Sequence, residues 1–146
     1  ERLPVPMTFR IVTTVTLVLA VAAAVVGCGL FGRDSETDER AVRPGEPKPS
    51  PSGLYTAYAE DGAPQNTVKT LVDVIRDKDG NEVYRDDAAY STRHGVLFTW
   101  LSTEPNQLWI LSSDVGTFHV APDNDGTWTK QHATNVPPEI KDLRGY

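Results

Sequence analysis

The sequence predicts a mostly β fold: a small antiparallel sheet of about six to seven strands, meander-like, sandwich-like or blade-like, ending in a short C-terminal helical turn. Two observations point there. Runs rich in Val, Ile, Thr, Tyr, Phe and Trp recur from Leu54 to Gln131, and turn chemistry built on Asp, Asn and Gly separates them.

The first strand is expected at Leu54–Glu60, where Tyr55, Ala57 and Ala59 alternate with Thr56, Tyr58 and Glu60. Thr67–Arg76 fits a helical face through Val68, Leu71, Val72 and Ile75, but its density of Thr, Val and Ile favours a strand. The tight turn Asp77-Lys78-Asp79-Gly80 returning into Asn81–Arg85 then makes the pair a hairpin. Gly95–Ser102 and Gln107–Ser113 are apolar on both faces, as the hairpin at the centre of a core would be. Val115–Ala121 and Gly126–Gln131 pair around Asp123-Asn124-Asp125-Gly126. Pro137 and Pro138 suit a first helical turn before Glu139–Leu143.

Ahead of these strands the composition changes twice. Ile11–Val26 is an uncharged apolar run, expected to be helical, and it follows a short region ending in Arg10. Residues 32–52 are almost free of apolar side chains and carry Pro44, Pro47, Pro49 and Pro51, which predicts a disordered, partly polyproline tether. Extended at about 3.1 Å per residue, that tether would reach up to roughly 60 Å.

Val25-Val26-Gly27-Cys28, at the end of the apolar run, resembles the lipobox of bacterial lipoprotein signal peptides. The resemblance covers residues 7–28. It implies diacylglycerol on the Cys28 thiol, cleavage between Gly27 and Cys28, and a domain displayed on the extracytoplasmic face of the cell membrane. Two or three acyl chains, at about 0.8 kcal/mol per buried methylene, hold a protein stably where one does not. An uncleaved signal anchor is the alternative, since Ile11–Phe31 as a helix would span about 31 Å. The expected organisation is an upstream extension or expression scar at 1–6, a signal peptide at 7–27, a lipidated N terminus with its tether at 28–52, and a β domain at 53–146.

The segment from Ser50 to Tyr58, taken with Gln107-Leu108-Trp109-Ile110, resembles the opening and middle of a β-propeller blade. It implies blade-like local geometry alone, because a propeller needs about four or more blades and the chain has no internal repeat.

Composition and spacing narrow the chemistry. The formal net charge of −6 and the lack of a Lys/Arg cluster argue against nucleic acid as a partner. The single cysteine allows no intramolecular disulfide. Asp77–Glu82 and Asp123–Gly126 group oxygen ligands as calcium loops do, yet the glycine is fourth rather than sixth, so hairpin turns are expected there. His94, His119 and His132 have no partner at metal-ligand spacing, and no metal or other cofactor is expected. Asp86-Asp87 and Glu60-Asp61 are carboxylate pairs of the kind glycoside hydrolysis uses, but adjacent side chains point apart. Trp100 and Trp109 are expected in the core, and Trp128, between polar neighbours, on the surface as a binding anchor.

These residues favour a non-enzymatic binding or interaction module at the cell envelope, anchored to the membrane and taking an envelope protein as partner. The alternatives are a small cell-wall-acting enzyme or its accessory, and an immunity or phage-exclusion lipoprotein.

Overall fold

The computed structural model describes residues 39–143, and the strands found there form two antiparallel sheets. The first holds β1 (Lys48–Pro49), β2 (Tyr55–Asp61), β3 (Thr70–Asp77), β4 (Glu82–Arg85) and β5 (Tyr90–Ser91). Its central strand β3 pairs with β2 on one side and with both β4 and β5 on the other. The second sheet is a meander of β6 (Val96–Trp100), β7 (Leu108–Ser112), β8 (Gly116–Pro122) and β9 (Trp128–His132). One helix, α1 (Pro138–Asp142), follows.

The expected seven strands and the closing helical turn are present, with ends shifted by at most three residues. The expectation of a single sheet of six to seven strands is corrected to two sheets containing nine. The two additional strands, β1 and β5, are two residues long each, too short to carry an alternating pattern.

Period-two alternation explains how the sheets pack. Tyr55, Ala57 and Ala59 of β2 and Leu71 and Ile75 of β3 point inward, where they meet Phe98 and Trp100 of β6, Leu108 and Ile110 of β7 and Val120 of β8. The opposite face of the second sheet is also apolar. Leu97 and Leu101, with Trp109 and Leu111 between them, are covered by Ala41 from the N-terminal segment and by Ile140 and Leu143 at α1. That second core accounts for strands apolar on both faces.

The tether expectation is corrected from Glu39 onward. Ala41 and Val42 are buried, and the Val42 N–H donates to the Phe98 carbonyl at 2.9 Å along the free edge of β6. The Trp100 indole N–H donates to the Lys48 carbonyl at 2.8 Å, and β1 pairs with β2 through Lys48 and Pro49. Proline is tolerated because β1 is an edge strand. Composition alone reads such a stretch as disordered, since its order comes from backbone bonds and two small apolar side chains.

Thr67 does not begin a strand. It sits with Asn66 at the tip of the β2–β3 hairpin, both at positive φ (69° and 47°), between the mutually bonded Gln65 and Val68. A β-branched residue in that region is strained, and left-handed backbone costs about 1–2 kcal/mol for an L-residue. Thr67→Gly is therefore expected to stabilise the fold by about 1 kcal/mol, read as a higher urea midpoint with unchanged slope.

Trp100 and Trp109 are buried as expected. Trp128 is corrected from exposed to half-buried: its ring meets Tyr55 edge-on at 4.9 Å, closing one margin of the inner core. Trp100→Ala is expected to cost about 3–5 kcal/mol in urea melts, the range for deleting a buried large aromatic. Trp128→Ala should cost clearly less.

Candidate functional site

Between the two sheets lies a group of polar side chains where the pattern calls for apolar ones. Asp73 occupies the inward position of β3 between Leu71 and Ile75, opposite Ala59, and is 0% exposed. Among the described residues no donor reaches either of its carboxylate oxygens. Asp86, buried just after β4, lies against it; its backbone N–H donates to the Asp73 carbonyl at 3.1 Å. Two ionised carboxylates offer only acceptors to one another, whereas a proton on Asp73 makes it a donor to Asp86.

Asp86 is otherwise well bonded. Its Oδ1 accepts from Lys130 Nζ at 2.5 Å and from the Ala88 N–H at 2.9 Å, and its Oδ2 accepts from the Tyr90 hydroxyl at 2.8 Å. Lys130 belongs to the other sheet: it lies on β9 opposite Val120, crosses Phe118 with its ammonium 5.4 Å from the ring centroid, and also reaches Asp87 at 3.0 Å.

The titration behaviour follows from this geometry. Burial, and then the neighbouring Asp86 charge, push the Asp73 carboxyl up to about 8. Burial acts the same way on Asp86, but bonds from Lys130, the Ala88 N–H and Tyr90 outweigh it and hold that carboxyl below its ordinary range. Burial works against the charged Lys130, and its bonds to Asp86 and Asp87 overcome that and raise it. Tyr90 is raised by burial and by donating to Asp86; Tyr84 is raised by burial and by the surrounding carboxylates. At neutral pH the cluster therefore holds a protonated Asp73, an ionised Asp86 and a cationic Lys130.

A separate cleft of about 740 Å³ opens at the end of the second sheet where β6 begins and β7 ends. Val42, Leu71, Val96 and Leu111 supply apolar walls, and Thr92, Ser112 and Ser113 bring hydroxyls to it. Arg43 and His94 also line it, and none of the described residues that line it is a carboxylate. Its size lies in the range of small-ligand pockets.

The residues singled out from sequence fall in several places. Gly27 and Cys28, with the signal segment, lie outside the described residues. Asp86 and Asp87 do diverge, one buried and one with a side chain 93% exposed, and the same lysine joins them. Glu60 bonds Arg76 at 2.6 Å and Arg85 at 2.7 Å on the first sheet. Asp77 accepts from the N–H groups of Asp79 and Asn81, both at 2.9 Å, and Asp125 accepts from the Thr127 N–H at 2.9 Å, so both carboxylates serve hairpin turns. His94 is in the cleft wall, while His119 packs on Trp109 with centroids 5.2 Å apart, its basicity lowered by burial. His132 meets Phe118 edge-on.

Sequence reading passed over Asp73, Tyr90 and Lys130. For Asp73 a signal exists: it is the lone charge inside the apolar run Leu71-Val72-Asp73-Val74-Ile75. For Lys130 none does, because its partner lies 44 residues away.

No family model, curated protein or solved structure matches this chain. The chemistry of the site therefore rests on its own geometry.

Removing the ammonium leaves Asp86 buried against Asp73 without its cation. Lys130→Met, which keeps most of the side-chain volume, is expected to cost about 3 kcal/mol or more in urea melts at neutral pH. Asp87→Asn should cost far less, since that side chain is in water.

Proposed function

We propose that this chain is a lipoprotein, anchored through Cys28 to the outer face of the cell membrane, whose β domain is a non-enzymatic binding module at the cell envelope. The binding reading is carried by the cleft: its walls are strand residues and bonded backbone, so it is preformed, and it combines apolar surface with hydroxyls and basic side chains inside an acidic domain. The perturbed acids favour binding over catalysis, because Asp73 and Asp86 lie in the interior, where a substrate would have to break the core to reach them.

The anchor reading rests on Val25–Cys28.

Cys28→Ser is expected to abolish incorporation of a fatty-acid analogue during metabolic labelling, and label retained in that variant would refute the lipid anchor. The binding reading is tested separately, with a photo-crosslinking residue at His94 in living cells and a control at Lys78 on the far turn. A discrete adduct from His94 alone supports the module; no adduct, together with turnover of wall polymer by the purified protein, would favour the enzyme.

A further inference from the structure

We propose that Asp73, Asp86 and Lys130 form a proton-gated lock between the two sheets, closed while the carboxyl pair shares one proton and released when that proton is lost. The carboxylates belong to the first sheet and its β4–β5 connection, and the ammonium to β9, the outer strand of the second sheet. Among the described residues, the ion pairs that join a strand of one sheet, or its connections, to a strand of the other are both made by Lys130, with Asp86 and with the exposed Asp87.

The groups facing the pair set its charge balance. β3 contributes Asp73, β4 Tyr84, the β4–β5 connection Asp86 and Asp87, β5 Tyr90, and β9 Lys130 with His132 two residues beyond. β2 and β8 present Ala59 and Val120, which do not titrate. With the proton in place, one buried carboxylate faces one ammonium and accepts from the Asp73 carboxyl. Without it, two buried carboxylates repel each other across that ammonium, and neither Asp73 oxygen has a donor.

The sign follows from the raised Asp73 carboxyl. Between the ordinary carboxylate range and about pH 8 the folded chain keeps a proton that the unfolded chain has lost, so this stabilisation falls as pH rises through that window and is gone above it. Other lowered acids, Asp77, Asp86 and Glu139 among them, lose their contribution at the acid end, so they do not mask the alkaline release. The strain falls first on the segments the lock holds: residues 84–92, with the short strand β5, and the edge strand β9.

Native-state hydrogen exchange by mass spectrometry on the full chain in neutral detergent tests this. Corrected for intrinsic rates, protection of residues 84–92 and 128–132 should fall by up to about a hundredfold between pH 6 and pH 9, tenfold for each pH unit below the Asp73 titration, while the β6–β7 hairpin keeps its protection. In Asp73→Asn, which fixes a neutral side chain of the same size, that fall should disappear. Flat protection in the wild type, or an equal fall in Asp73→Asn, overturns the lock. If Asp73→Asn does not fold, infrared spectroscopy of the wild type decides: a protonated carboxyl band at pH 6 that vanishes by pH 9 is expected, and its absence at pH 6 overturns the proposal.

Discussion

A lysine on one sheet neutralises an aspartate on the other, and much of the sandwich is arranged so that this contact can exist. The interior of two packed sheets is a poor place for charge, and a carboxylate there needs a cation and several donors. Asp86 has Lys130, the Tyr90 hydroxyl and the Ala88 N–H. Supplying them takes β9 at the margin of the second sheet, β5 against β3, and a β4–β5 connection tight enough to aim Asp86 inward. Ala59, the residue opposite Asp73, is small, which leaves room for the carboxyl pair within an otherwise apolar layer.

The N-terminal segment is the second constraint. The sheet formed by β6–β9 has two apolar faces, and only one can be covered by the other sheet. Ala41 and α1 cover the remaining face. Arg40 fastens the two coverings together: it ion-pairs with Glu139 and donates to the Trp100 carbonyl at 3.0 Å, while Glu139 accepts from the Ser102 N–H at 3.0 Å and hydroxyl at 2.7 Å. Ends far apart in sequence thus close one face. The cleft lies beside this closure, with Ala41 and Val42 in its wall, so the segment that completes the core also shapes the candidate binding surface.

Local chemistry made most of the fold legible. The Asp77–Asn81 and Asp123–Thr127 turns are readable because Asp, Asn and Gly satisfy such turns within a few residues, and the structure shows Asp77 and Asp125 doing so. The core tryptophans are readable because β6 and β7 carry large apolar side chains on both faces, with Thr99 and Ser112 as the exceptions. Trp128 was misread for a related reason: Thr127, Thr129 and Lys130 around it look like a solvated strand, while Tyr55, the residue that half-covers it, is remote in sequence.

The sequence by itself determined the seven longer strands, the hairpin turns, the brief terminal helix and the lone cysteine at the end of an apolar run, since each depends on residues within a few positions of one another. Tertiary structure alone decided that there are two sheets, that residues 39–52 belong to the fold, and that Asp73, Asp86 and Lys130 meet. Those outcomes depend on which strands become neighbours. A buried charge is tolerated only where a distant residue arrives to compensate it, and composition and periodicity carry no record of that arrival.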